Sequence, residues 1–109
     1  MGEHTIDEDL IVMAIQQVVE QLTIMEASMG EEAHKEWVQS AHRARGSSAF
    51  MGFVEVAKGF HDAEFHAGTL EARTECIQNL RRSLTKLEVR LRELGFDIPP
   101  PNNPTHPPA

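Results

Sequence analysis

The sequence predicts an all-α protein, namely an antiparallel four-helix bundle followed by a disordered, proline-rich C-terminal tail. All 6 prolines of the 109 residues lie between positions 99 and 108, so no proline interrupts helices in the first 98 residues. Apolar residues in that body recur at alternating steps of four and three, which is the period of one helix face. Tyrosine is absent and runs of β-branched or aromatic residues are few, which argues against a sandwich or a barrel.

The first two helices are predicted from their apolar stripes. The first helix has Thr5 or Asp7 as its candidate N-cap and Gly30 as its candidate stop. Its stripe consists of Ile11, Ile15, Val18, Leu22, Met25 and Met29. The second stripe is made of small residues apart from its tryptophan, which lets a neighbouring helix approach closely; it consists of Ala33, Trp37, Ala41, Ala44 and Ser48.

The third and fourth helices complete the predicted bundle. The third stripe ends at Gly68 and consists of Phe53, Val56, Phe60, Ala63 and Ala67. In the fourth helix, Thr69 is the candidate N-cap, Gly95 the candidate end, and Arg73 the single stripe position that is not apolar. Its apolar stripe consists of Leu70, Ile77, Leu80, Leu84, Leu87, Leu91 and Leu94.

Four amphipathic segments joined by short connections predict an antiparallel bundle. A parallel two-chain coiled coil is the alternative, but glycines interrupt the pattern too often for it. We therefore expect one bundle domain over residues 1–98 and a separate tail over 99–109. Phe96 and Ile98 are expected to fold back on the end of the bundle. The tail lacks the apolar surface needed for packing, although a ligand for proline-recognition domains remains an alternative.

Charge and cysteine content limit the functional classes. The chain has 10 Lys and Arg against 17 Asp and Glu, and its net charge of −7 argues against nonspecific nucleic-acid binding. No apolar run approaches the ~20 residues that cross a bilayer, and the first residues show no secretion pattern. The single cysteine, Cys76, has no internal disulfide partner, which fits a reducing compartment. We expect a soluble, cytoplasmic monomer without nucleic-acid or membrane partners.

One segment differs from plain bundle sequence. On the second helix, Val38, His42, Arg45 and Ala49 are separated by four, three and four residues and therefore share one face beside the core stripe. Gly46 costs ~1 kcal/mol in a helix interior relative to alanine. A missing side chain there would leave His42 open to a large partner, and Arg45 could neutralise a phosphoryl group on the imidazole.

The residues from His42 to Gly52 read His-Arg-Ala-Arg-Gly-Ser-Ser-Ala-Phe-Met-Gly. This segment resembles the signature of histidine-containing phosphotransfer (HPt) domains, His-x-x-Lys-Gly-Ser-Ser/Ala-x-x-x-Gly. The register of the following helix fits the family as well, so the resemblance extends from about Val38 to Gly68. Arg45 stands where the family usually has lysine, which keeps the charge but replaces a compact ammonium with a planar fork.

The resemblance implies a four-helix bundle whose exposed histidine relays phosphoryl groups between aspartates of receiver domains. His42 matches the phosphorylated position, Arg45 the supporting basic position and Gly46 the glycine that gives access. The implied partners are response-regulator receiver domains and a hybrid histidine kinase. The implied cofactor is magnesium on the receiver, with none on this chain. No phosphate-cradling glycine loop is present, so no nucleotide binding or intrinsic kinase activity is expected.

A docking receiver needs an apolar patch near His42. Apolar residues outside the core seam of the first helix, such as Val12 and Val19, are candidates for this patch together with Val38 and Phe50. An equally supported interpretation is that they only widen the buried face of the bundle.

Three other interpretations compete with phosphotransfer. His61, Asp62, Glu64 and His66 suggest a metal site, but no matching pair occurs on another helix, so solvated surface residues are favoured and no metal is expected. Cys76 is expected to be a small, half-buried residue and not a nucleophile. The rival functional class is a non-catalytic helical adaptor, or a degenerate HPt domain that binds receivers or oligomerises without phosphotransfer.

Overall fold

The computed structural model describes residues 8–99, and most of these residues lie in four α-helices. The helices are α1 (Glu8–Glu26), α2 (His34–Phe50), α3 (Val54–His66) and α4 (Leu70–Glu93), with a 3-10 turn at Glu31–Ala33. No strand occurs within residues 8–99, so the predicted all-α bundle is confirmed. Apart from Pro99, the predicted disordered tail over 99–109 lies outside the described residues, as do the candidate N-caps Thr5 and Asp7.

Helices that are consecutive in sequence pack against each other: α1 on α2, α2 on α3, and α3 on α4. Short connections force consecutive helices to run antiparallel. An ion pair between Arg81 of α4 and Glu26 of α1 links the last helix to the first. None of the helices in the described part of the chain combines the length and apolar character that a membrane span requires.

The core follows the predicted stripes through the middle of each helix. Its largest fully buried side chains include Leu22, Met25, Trp37 and Phe60. The indole Nε1 of Trp37 donates a hydrogen bond to the carbonyl oxygen of Ala63 at 2.7 Å, which ties α2 to α3. Because the other buried residues of α2 are alanine and serine, α2 can pack closely against both α1 and α3.

Two helix ends match their sequence signals closely. The hydroxyl of Thr69 accepts a hydrogen bond from the backbone N–H of Ala72 at 3.1 Å, so it is the N-cap of α4 as predicted. At the other end Gly95 has a φ of 100°, and its N–H and that of Phe96 bond back to the last turn. Gly52 ends α2 in the same way, with a φ of 80°. Both are Schellman motifs, which favour glycine because the backbone is left-handed there.

The predicted end of α1 is wrong by four residues, because the helix stops at Glu26 and not at Gly30. The hydroxyl of Ser28 donates to the carbonyl of Ile24 at 2.7 Å, which satisfies an acceptor that the next helical turn would otherwise use. Met29, the last predicted member of the stripe, is consequently half-buried in the connection to α2. Ala33 likewise lies in the 3-10 turn before α2.

The predicted stripe of α4 is wrong at both ends. Leu70 and Leu94 are 63% and 52% exposed. Leu70 is the first residue of α4 and Leu94 follows its last residue, so both lie at the ends of the helix, away from its packed middle. Glu88 is buried in the second half of α4, although it is charged. The predicted return of the chain is confirmed, since Ile98 is only 5% exposed and packs on the end of the bundle.

Arg73, the single polar position in the predicted stripe of α4, is 2% exposed. Its Nε donates to the carbonyl oxygen of Ala67 at 3.0 Å, and its Nη1 donates to those of Met29 and Gly30 at 3.1 and 3.0 Å. The guanidinium also lies 5.0 Å from the centre of the Trp37 ring. One side chain therefore joins the α3–α4 connection to the α1–α2 connection.

Candidate functional site

His42 lies in the middle of α2, and its side chain is 63% exposed. The core residues Ala41 and Ala44 on the same helix face inward, so the helix period turns His42 towards solvent. Arg45 follows one turn later with a side chain that is 33% exposed. The structure therefore places the two predicted residues side by side on an accessible face.

A third residue, Glu64 of α3, completes this site. Its Oε2 lies 3.0 Å from Nδ1 of His42, and its Oε1 accepts a hydrogen bond from Nε of Arg45 at 3.0 Å. The Glu64 side chain is only 9% exposed, because it lies in the groove between α2 and α3. Such shielding strengthens charge-assisted hydrogen bonds relative to those made in open water.

These contacts indicate which nitrogen of His42 carries the proton. Nδ1 lies 3.0 Å from the Glu64 carboxylate and 3.1 Å from Nη2 of Arg45, and it can satisfy only one of them. Within residues 8–99, Oε2 of Glu64 has no other hydrogen-bond partner, whereas Nη2 of Arg45 is near enough to solvent to bind water. A shielded carboxylate oxygen needs a donor, so we assign the proton to Nδ1. Nε2 then carries a free lone pair.

Arg45 also has an apolar neighbour on α3. Its guanidinium carbon lies 5.7 Å from the centre of the Phe65 ring, and Phe65 is 56% exposed. The planar guanidinium of arginine can bond to Glu64 and lie near this ring at the same time. A lysine ammonium has no such plane and would act only as a point charge. The arginine at this position therefore has a structural role that goes beyond its charge.

Gly46 lies one turn after His42, and a Cβ built there would meet nothing within 4 Å. The packing of the bundle therefore does not require glycine at this position. Beside it runs an open groove of about 430 Å³ between α1 and the end of α2, whose walls include Met13, Gln17, Ser47 and Phe50. Gly46 itself lines this groove, so its missing side chain leaves the surface there open.

The four predicted docking residues lie in different environments. Phe50 is 84% exposed and lines the groove, so it does not pack inward. Val19 is 37% exposed but does not line the groove. Val12 and Val38 are half-buried and pack against the core, which agrees with the interpretation that some of these residues widen the buried face.

A second polar cluster lies on the exposed side of α3. One donor atom each of His61, Asp62 and His66 lies within 4.8 Å of the other two.

Cys76 of α4 is half-buried, as expected. Burial raises the pKa of the Cys76 thiol, and the negative charges of Asp62 and Glu75 raise it further. The thiolate is therefore disfavoured, which agrees with the expectation that this cysteine is not a nucleophile.

The role of Glu64 in this site was not predicted from the sequence, where Glu64 was grouped with His61, Asp62 and His66 as a possible metal ligand. Glu64 is 22 positions from His42, so no helix period connects the two residues. One signal was present: Glu64 lies one turn after the core residue Phe60, at the edge of the buried stripe. A carboxylate there can reach across to the neighbouring helix.

Comparison of the chain with curated proteins and with solved structures gives no significant match. A sequence model described as the Hpt domain matches residues 9–90, which covers most of the chain: nearly all of α1, all of α2 and α3 with the site at His42, and most of α4. Together with the four-helix bundle and its exposed histidine, this match shows that the chain belongs to the Hpt domain family.

Proposed function

We propose that His42 accepts a phosphoryl group at Nε2 from the phosphorylated aspartate of one receiver domain and passes it to the aspartate of another. The observation that carries the proposal is the pairing of Nδ1 with Glu64, because it leaves the lone pair of Nε2 free on an exposed face. We further propose that the chain acts as a cytoplasmic monomer and that a hybrid histidine kinase supplies the first receiver.

Membership of the family supports the general role. Hpt domains take part in histidine phosphotransfer within phosphorelays, where they interact with receiver domains and kinases. The identity of the receivers and the direction of transfer are parts of our proposal.

The transfer step follows from the chemistry of an imidazole. The lone pair of Nε2 attacks the phosphorus of the aspartyl phosphate in line, so that an N–P bond forms while the P–O bond to the aspartate breaks. The carboxylate leaves with the electron pair of the broken bond. The ring becomes cationic during this step, since Nδ1 keeps its proton while the lone pair of Nε2 becomes the third bond of that nitrogen, to phosphorus. A second receiver aspartate reverses the step.

Glu64 stabilises the cationic ring by its charge and holds the reactive tautomer by its hydrogen bond. Arg45 fixes Glu64 through the bond from Nε to Oε1 and places a positive charge beside the histidine. That charge is near enough to attract an approaching phosphoryl group. Magnesium, held by the receiver, would supply the remaining charge stabilisation, and we assign no metal to the His42 site itself.

The surroundings of His42 fit a receiver that lies across α1 and α2. The groove beside Gly46 has a largely apolar wall, and Phe50 offers an exposed ring at its edge. Apolar anchors surrounded by polar residues are typical of protein interfaces. We therefore propose that Met13, Gly46 and Phe50 contact the receiver directly.

The experiment is transfer from receivers encoded in the same genome, each phosphorylated on aspartate with a labelled small phosphodonor and Mg²⁺. We expect the chain to acquire a label that acid removes and base does not, as for a phosphoramidate. The variant His42→Gln should acquire none. A wild-type chain that binds a phosphorylated receiver but stays unlabelled with every receiver would support the adaptor function instead.

Two charge-matched variants separate the role of Arg45 from a general effect of charge. Arg45→Ala and Arg43→Ala each remove one positive charge beside His42, but only Arg45 bonds to Glu64. We expect Arg45→Ala to slow the transfer by about 10-fold or more, since a hydrogen bond to a charged group contributes about 1.5–3 kcal/mol. Equal slowing by both variants would contradict the specific role of Arg45.

The proton position is testable without any receiver. In nitrogen NMR spectra, His42 should show the tautomer with its proton on Nδ1, and Glu64→Ala should shift the ring towards a mixture of tautomers. Glu64→Gln keeps the size of the side chain but removes its charge, and we expect it to slow transfer by at least about 10-fold. A dominant proton on Nε2 in the wild-type chain would contradict the proposed nucleophile.

A further inference from the structure

The three donors on the exposed side of α3, His61, Asp62 and His66, lie outside the phosphotransfer site. Within residues 8–99, Glu64 forms its hydrogen bonds with His42 and Arg45, and neither of these residues belongs to the α3 cluster. Sequence spacing alone offered no partner helix that could supply further ligands. In the structure, α3 alone brings three donor atoms within 4.8 Å of one another.

We propose that His61, Asp62 and His66 form a binding site for a transition-metal dication, with Zn²⁺ as the best-fitting ion. Nδ1 of His61 lies 3.6 Å from Oδ1 of Asp62. Ligand atoms around a tetrahedral zinc, with bonds of about 2.0–2.1 Å, are roughly 3.4 Å apart. The His61–Asp62 pair therefore already has nearly the separation that zinc requires.

His66 supplies the third donor, close to the donors of His61 and Asp62. Asp62 and His66 are one turn apart, and His66 is the last residue of α3. The ring centres of His61 and His66 are 6.0 Å apart. Because the side chains of His61 and Asp62 are 48% and 46% exposed, small rotations can bring all three donors onto one ion. Water would occupy the remaining coordination position.

Two further features of the site favour a bound cation. The C-terminal end of a helix carries the negative end of its dipole, and the site lies in the last two turns of α3. On the other side, the ring of Phe65 packs at 4.9 Å from that of His61, which limits the positions that the imidazole adopts. A preoriented ligand loses less conformational freedom on binding.

The donor set also selects the class of ion. Two imidazole nitrogens with one carboxylate suit zinc and its neighbours in the first transition series, whereas Mg²⁺ and Ca²⁺ prefer sites made of oxygen atoms. The site uses neither His42 nor Glu64, so its failure would leave the proposed phosphotransfer untouched.

The test is isothermal titration of the full chain with ZnCl₂ at pH 7.5, in parallel with CaCl₂. We expect one zinc per chain and no comparable binding of calcium. Loss of an outer partner of a metal ligand already costs about 10–100-fold in affinity. His61→Ala and His66→Ala should therefore each weaken zinc binding at least tenfold, and Asp62→Asn should weaken it as well. Circular dichroism of each variant checks that the helices are retained.

Matched controls replace two side chains outside the proposed site whose residue types can also bind zinc. His106→Ala, outside the described residues, and Cys76→Ser should leave the zinc affinity unchanged. The absence of zinc binding by the wild-type chain would overturn the proposal. So would binding that persists in the double variant of His61 and His66, or binding that Cys76→Ser abolishes.

Discussion

Replacement of the buried Arg73 tests how two connections of the bundle are held together. Arg73→Met keeps an unbranched side chain but removes every donor, which leaves the carbonyls of Ala67, Met29 and Gly30 without their partner. It also removes the contact of Nη2 with Nδ1 of His34 at 2.6 Å. A hydrogen bond to a charged group contributes about 1.5–3 kcal/mol. Ala67 is buried, so its carbonyl loses the whole contribution of its hydrogen bond. Met29 and Gly30 are half-buried, so their carbonyls can form hydrogen bonds with water instead.

With about half of that contribution lost at each half-buried carbonyl, the sum is about 3–6 kcal/mol. Release of a buried charge offsets part of this sum, so we expect the free energy of unfolding to fall by about 2–4 kcal/mol. A small domain is stable by about 5–15 kcal/mol, so the loss is large but leaves a folded protein to measure. Arg73→Lys keeps the positive charge but not the planar guanidinium, so its free energy of unfolding should lie between those of the wild type and Arg73→Met.

The assay is urea unfolding at pH 7.5, followed by fluorescence of the single tryptophan, whose ring lies 5.0 Å from the guanidinium. Arg82→Met on the exposed side of α4 is the control, and it should change stability by less than about 0.5 kcal/mol. A loss below about 1 kcal/mol for Arg73→Met would refute the reasoning, because it would show that the carbonyls are satisfied without the guanidinium.

Three further predictions concern two helix glycines and one buried acid. Gly46→Ala should stabilise the fold by about 0.5–1 kcal/mol, since the added Cβ would contact no other atom within 4 Å. The same variant should slow transfer from a phosphorylated receiver, and an unchanged transfer rate would argue against docking at Gly46. Gly59→Ala should lower the free energy of unfolding in urea by about 1–2 kcal/mol, because the added Cβ would lie 2.6 Å from Cδ2 of the buried Leu80. A gain in stability would contradict this close packing. Burial raises the pKa of Glu88, against a smaller opposite effect of Arg92, so its ionisation weakens the fold at neutral pH. Glu88→Gln should be more stable than the wild type at pH 7.5, and the difference should shrink as pH falls through the raised pKa, because the wild-type carboxyl then becomes neutral; a difference independent of pH would exclude this cause.

The sequence predicts the centres of the helices better than their ends. Residues such as Val18, Phe60 and Leu80 have neighbours on both sides along the helix, so the apolar period alone determines that they are buried. Leu70 and Leu94 have the same period, but they lie at the two ends of α4 and are exposed. How well the neighbouring segments cover a helix end is a property of the packed bundle, which a single stripe does not contain.

The site shows the same division between local and long-range information. His42, Arg45 and Gly46 share one helix, so their spacing predicts their proximity. The contact between His42 and Glu64 depends on the register of α3 against α2, which is set by core contacts such as the bond from Trp37 to Ala63. The three donors on α3 were visible in the sequence, but their separation depends on side-chain rotations near the helix end.

The position of Glu64 has a consequence for how a phosphorylated chain would be recognised. Its hydrogen bond occupies the nitrogen that faces the bundle, so a phosphoryl group on the opposite nitrogen would leave the internal contact in place. Helix packing would then be the same before and after transfer. A partner could distinguish the two forms only by the added charge and bulk at the surface. Signal strength would depend on how many copies carry the group and on their lifetime, without any change of shape to propagate through the bundle.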